Sequence, residues 1–281
     1  TALSTYAYGK EGSWNEYPLF TELMKNAGYN VTFITNQFVK TINDDIFNFS
    51  GDTFVNNEGL SRAQFSHRNT RLHRYDEGLL ADYDSLKAYN TEHNLVIFHL
   101  LGCHTAYEDR YPEAFDVFKK ADYDRPDLDA DGMKNIAAYD NAVLYNDYVV
   151  TEIIRRFEDE DAIIVYMPDH GEMAFVGSST YGRTLAVNTQ NEVYQQFDIP
   201  FWIYVTPKYR ESHPDICAQI EAAKDKPFMT DCVDQLILYL AGVRTPFYSD
   251  RDNILSPAYD ARRKRMVMGK IDYDGFMRGY K

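Results

Sequence analysis

The stretch AIIVYMPDHGE, residues 162–172, decides how this chain is read. Six mostly apolar residues run straight into Pro168, Asp169, His170, Gly171 and Glu172. A short continuous apolar run suits a strand covered on both faces, as in a parallel sheet. Its end has two readings, a turn or a metal site. Carboxylate beside imidazole is a donor pair that suits zinc, with manganese as the alternative. Neighbouring residues in a strand point opposite ways, but a turn at the strand end can aim both at one ion. Gly171 would permit that turn.

Working outward, NLVIFHLLG (94–102) is a second apolar run, VTFIT (31–35) a shorter strand and IPFWIYV (199–205) a third apolar strand. Helical spacing predicts helices over 17–28, ending at Gly28, over 75–90, over 133–158 and over 213–223. Thr230 is placed to cap a further helix ending at Gly242. A short strand falls near MVMG (266–269). Residues 36–75 and 173–198 are polar and read as irregular chain and a long loop. Apolar strands alternating with amphipathic helices predict an α/β fold: a mostly parallel central sheet with helices on both faces. No repeat or linker divides the 281 residues, which predicts a single domain. In such sheets ligands bind beyond the carboxyl ends of the strands.

Two strands end in chemistry. AIIVYM ends in Asp169-His170, and LVIFHLLG runs into Cys103-His104. His99, inside its apolar run, reads as a satisfied core histidine. The net charge of −14 argues against nucleic acid as a partner, because phosphate backbones want a basic face. No run of 18 or more apolar residues and no signal peptide pattern is visible. Three cysteines are too few for a disulfide framework, and a Cys217–Cys232 bridge and free thiols both stay open. DLDADG (127–132) opens like a calcium loop. Its twelfth position is Ala138 where a glutamate is required, so an acidic solvated loop is the better reading.

PDHGE, with HLLGCHTAYEDRYPEAFDVF and AYDNAVLYNDYVV before it, resembles the phosphoethanolamine transferases of lipid A and lipopolysaccharide core, within the alkaline phosphatase and sulfatase superfamily. LFTELMKNAGYNVTFITNQ and the IDYD tail fit the same pattern, so the resemblance covers most of the chain. It implies a threonine nucleophile that is also a zinc ligand, in a T-A-x-S context matched here by TALS and therefore by Thr1. It implies that Asp169 and His170 hold the metal, that His104 touches the phosphoryl group or a second metal, and that Glu172 orients His170. Tyr139, Asp140 and Asn141 are expected to pack. The implied reaction moves phosphoethanolamine from phosphatidylethanolamine to a lipopolysaccharide sugar or phosphate through a phosphothreonine. The implied place is the periplasmic face of a bacterial inner membrane, with membrane helices upstream of this chain.

Two departures stand out. The family pattern has a glutamate ligand on a strand ahead of the nucleophile, and nothing precedes Thr1 here. A sheet lacking that strand is expected to leave a central edge open. The family also has a histidine after the DHGE string, whereas 173–198 contains none. Arg183 stands in that region as a candidate phosphate binder. A phosphoglycerol transferase, a phosphodiesterase or a degenerate binding domain of the same superfamily remains an alternative. A sulfatase fits less well, since no C/S-x-P-x-R string lies near Thr1. An N-terminal nucleophile hydrolase conflicts with the parallel-strand pattern.

Overall fold

A computed structural model describes residues 4–37, 57–184 and 186–280. The chain divides into two compact units, Pro18–Phe118 with Ala138–Ile153, and Thr1–Tyr17 with Lys119–Ala137 and Ile154–Lys281.

In the first unit, helix α1 (Phe20–Asn26) leads into strand β1 (Asn30–Thr35). The helix stops where Gly28 takes φ +94°. There the Gly28 and Tyr29 amides close back on the Lys25 and Met24 carbonyls at 3.0 and 3.1 Å. Helix α2 (Glu58–Gln64) starts at Asn57, whose side chain accepts the Leu60 amide. Strand β2 (His67–Arg68), helix α3 (Gly78–Leu86) and strand β3 (Asn94–His99) follow. The sheet order is β2-β1-β3, and both pairings are parallel, with Val31 opposite Leu95 and Thr35 opposite His99. Every residue of β1 is buried, as a central strand packed by α1 and α3 requires. Val31 and Ile34 are fully enclosed, each contributing about 1.5–3 kcal/mol of apolar burial. β3 is half-buried throughout, since it forms one edge of this sheet among the described residues. Neither α2 nor β2 was legible in the polar stretch 36–75.

Helix α4 (Ala130–Arg155) begins three residues before the spacing predicts. Asp129 Oδ1 accepts the Gly132 amide at 2.8 Å, so the acidic DLDADG loop ends as a helix cap. Its neighbour Asp127 is held by Arg125 through two hydrogen bonds of 2.8 and 2.7 Å.

In the second unit lie β4 (Ile163–Tyr166), β5 (Met173–Ala174), β6 (Tyr181–Gly182), helix α5 (Gln190–Phe197) and β7 (Trp202–Val205). Then come α6 (Pro207–Ser212), α7 (Pro214–Ala223), α8 (Val233–Leu240), β8 (Met266–Val267), β9 (Ile271–Asp272) and α9 (Tyr273–Phe276). β4 pairs with β7 antiparallel, Tyr166 facing Trp202 with stacked rings 4.9 Å apart. The alternation of helices and strands predicts a parallel pairing here. An apolar run carries no direction, so this detail differs while the α/β class and the parallel sheet stand. Residues 173–198 are not a long loop: they hold the hairpin β5–β6 and helix α5. Thr230 does not cap α8. It opens a 3-10 turn, and the helix starts at Val233 without a side-chain cap. Leu236, Ile254, Leu255 and Ala223 form one core cluster, and Val193, Val267 and Tyr273 another. Cys103, Cys217 and Cys232 are all free thiols. No helix of the described residues is long and apolar enough to cross a membrane.

Candidate metal centre

β4 delivers Asp169 and His170 just past its carboxyl end, where the Asp-His-Gly string turns. The His170 ring is oriented by its own backbone, with Nδ1 2.8 Å from the Gly171 carbonyl oxygen. A ring nitrogen beside a carbonyl carries the proton, which leaves Nε2 with its lone pair open. That Nε2 lies 3.5 Å from Asp169 Oδ1. Two donors on one tetrahedral zinc, each at about 2.0–2.1 Å, stand about 3.3 Å apart. The separation of the pair therefore matches that of two donors on one ion. Asp169 is 85% exposed and His170 28% exposed, so an ion has access. Among the described residues no third His, Cys, Asp or Glu joins them. Thr1, the implied nucleophile and third ligand, lies outside the described residues. The resemblance gives an orienting role to Glu172, and the bond seen at His170 Nδ1 is to the Gly171 carbonyl between them.

Gly171 is forced. A Cβ there would sit 2.2 Å from the Gln195 carbonyl oxygen, because the Gly171 amide donates to the Gln196 carbonyl at 2.9 Å. The turn is thus pressed onto the carboxyl end of α5. The hairpin that follows pairs Met173 with Gly182 and Ala174 with Tyr181. This register continues to place Arg183 across from Glu172. Arg183 is exposed and makes no hydrogen bond or ion pair with the described residues, so its guanidinium is available to an anion. Phe175 tightens the hairpin at φ 62°, an unfavourable conformation for a non-glycine residue. Its fully buried ring, stacked 5.2 Å from Tyr181, holds it there.

In the other unit, β3 leads to His104, which is exposed, with Nδ1 2.6 Å from the Thr105 carbonyl. The turn before it is pinned by the buried Asp76 carboxylate, which accepts the Leu101 and Gly102 amides at 3.1 and 2.8 Å. His99 bonds Thr35 Oγ1 at 3.0 Å inside the sheet, a satisfied core histidine. Asn141 is fully buried, and its amide accepts the Val117 and Phe118 amides and donates to the Phe118 carbonyl, so it packs and pins a loop. Asp76, Gln195 and Gln196 escape sequence reasoning. One signal for α5 was present: T-Q-N-E at 189–192 is a capping box, with both reciprocal bonds formed.

The chain matches the sulfatase family over residues 1–236 and belongs to that family. Its relatives are more specific. Phosphoethanolamine transferase EptC of Escherichia coli (strain K12) is 31% identical over 201 residues, 70% of this chain and 34% of that protein. Phosphoethanolamine transferase CptA of Salmonella typhimurium is 29% identical over 260 residues, 91% of this chain and 43% of that protein. The chain therefore spans between a third and a half of the length of these curated relatives. The crystal structure of the C-terminal periplasmic domain of EptC from Escherichia coli has a TM-score of 0.80 at 27% identity, covering 100% of this chain and 78% of that one. The same domain in complex with zinc has a TM-score of 0.78, also at 27% identity, covering 99% and 78%.

Proposed function

We propose that this chain carries the catalytic site of a zinc-dependent phosphoethanolamine transferase. Phosphatidylethanolamine is the donor, and a lipopolysaccharide sugar hydroxyl or phosphate is the acceptor. The whole protein is placed at the periplasmic face of a bacterial inner membrane, with membrane segments beyond this chain. The observation that carries the reading is the Asp169–His170 pair: a ring locked by the Gly171 carbonyl with its open nitrogen 3.5 Å from a carboxylate. Family membership and relatives named for this transfer support it.

When bound, zinc supplies Lewis acidity that lowers the pKa of a coordinated hydroxyl and offsets charge on phosphoryl oxygens. Asp169 and His170 would hold it, with Thr1 as their partner ligand. Thr1 Oγ1 attacks the donor phosphorus, and the bond from phosphorus to the diacylglycerol oxygen breaks. That oxygen takes up a proton and leaves as diacylglycerol. The acceptor oxygen then attacks the phosphothreonine, and Thr1 regains its proton. His104 is assigned to the phosphoryl oxygens, and Arg183 to an anionic group of donor or acceptor.

The test has two parts. Purified chain should hold about one zinc by elemental analysis, and Asp169→Ala should abolish it. Incubation with phosphatidylethanolamine should then add one phosphoethanolamine to Thr1 by peptide mass spectrometry, and Thr1→Ala should remove the adduct. Zinc retained equally by Asp169→Ala would overturn the ligand assignment. Zinc loading without any adduct would overturn the transfer.

A further inference from the structure

The side chains of α5 do something that neither the metal pair nor the fold requires of them. Gln195 reaches into the loop after the metal pair with both ends of its amide. Oε1 accepts the Ala174 amide at 3.1 Å and Nε2 donates to the Val176 carbonyl at 2.9 Å. Asn191, one turn earlier, donates to the same Val176 carbonyl at 2.8 Å. Gln196, 3% exposed, accepts the Thr184 amide at 2.9 Å through its side chain, while its backbone carbonyl accepts the Gly171 amide. Four points of the segment 171–184 are thus tied to one short helix. They bracket the hairpin, and the first of them is the residue whose carbonyl orients the His170 ring.

We propose that Gln195 and Gln196 are positioning residues for the metal site. They hold the Asp-His-Gly turn and the Arg183 hairpin against α5, so that the His170 nitrogen and the Asp169 carboxylate stay at metal-bridging separation before any ion arrives. Neither amide bonds Asp169 or His170. Their action runs through the Gly171 backbone and the hairpin ladder. A glutamine suits this task because one planar amide satisfies a backbone donor and a backbone acceptor two residues apart. Alanine at Gln195 would leave the Ala174 amide without this partner and the Val176 carbonyl held by Asn191 alone. The proposal rests on the reading of Asp169 and His170 as zinc ligands.

The test compares Gln195→Ala with Asn253→Ala. Asn253 is fully buried in the same unit, where its amide accepts the Leu255 amide at 3.1 Å and donates to the Tyr248 hydroxyl at 2.9 Å. It is therefore a loss of two amide bonds away from α5, at a site more buried than the half-buried Gln195. Zinc affinity is measured by competition with a chromogenic chelator. Amide hydrogen exchange across 169–184 is measured on the metal-free chain. Gln195→Ala should weaken zinc about tenfold, the scale of an outer partner of a metal ligand, and should speed exchange at Ala174. Asn253→Ala should lower the melting temperature at least as much and change neither. Equal zinc losses in both variants, or none in Gln195→Ala, would overturn the proposal. If the unaltered chain binds no zinc, the ligand reading fails first. The exchange arm then decides separately whether α5 holds the turn.

Discussion

At Gly171 a single added carbon would meet the Gln195 carbonyl oxygen at 2.2 Å. Backbone cannot give way as a flexible side chain can, so Gly171→Ala should cost about 1–3 kcal/mol, the range of overpacked sites. It should also displace the carbonyl that orients His170, so zinc affinity should fall in parallel with the denaturant midpoint. Asp234 makes a different prediction. It is 1% exposed, and burial raises its pKa to about 7, against the opposing pull of the Gln235 amide and Lys10. In the unfolded chain it titrates near its ordinary value of about 3.9. The folded state therefore binds this proton more tightly. The stabilisation is complete below about pH 4 and is lost as pH rises through about 7. Asp234→Asn should flatten that part of the pH dependence, with a wild-type-minus-variant difference on the order of 2–4 kcal/mol between pH 4 and pH 8 by urea unfolding. At this scale the sequence located the Asp169-His170 turn at the end of β4. It was silent about the Gly171 carbonyl beside His170 Nδ1, because every residue carries a carbonyl.

Among the elements, β1, β3 and β4 were legible as short continuous apolar runs, and α1 and α4 by their helical spacing. The hairpin and α5 were not. Strands of two residues have no period to read, and α5 buries only Val193 and Gln196. Pairing direction was hidden as well, which is why β4 and β7 run antiparallel against the pattern. Within α4, Asn141 binds the loop at 116–118 through several hydrogen bonds made in full burial. Asn141→Ala would strand the Val117 and Phe118 amides. A loss of about 2–4 kcal/mol is expected by denaturant unfolding, the sum of more than one unsatisfied buried group. Asn141→Asp keeps the acceptor but brings a carboxylate toward Asp116, so it should recover part of that loss at low pH only.

For the molecule as a whole, the segment after Thr1 is fastened by residues more than two hundred positions away. The Tyr8 amide donates to Asp231 at 2.8 Å, and Arg263 bridges Asp231 to the Tyr8 carbonyl at 2.9 Å. Both charged side chains are under one-fifth exposed. Arg263→Ala leaves Asp231 without its ion-pair partner and with the Tyr8 amide alone, and a cost of about 2–3 kcal/mol is expected, short of a fully buried pair. Limited proteolysis should then cut first within residues 4–10, which locates the loss. None of this was visible in the sequence, where Asp231 and Arg263 are two charges among many. The order β2-β1-β3 has one more consequence, for how the chain acquires its shape. β1 must wait for partners 35 and 64 residues further on, as the pairings of Thr32 with His67 and of Thr35 with His99 show. Parallel neighbours cannot zip from a tight turn, and each closure costs chain entropy before any contact repays it. Helices α1 and α4 can form within microseconds, while the central strand stays unpaired until late. Refolding should therefore show helical signal ahead of sheet burial, and β1 is the strand most exposed to wrong partners in the interval.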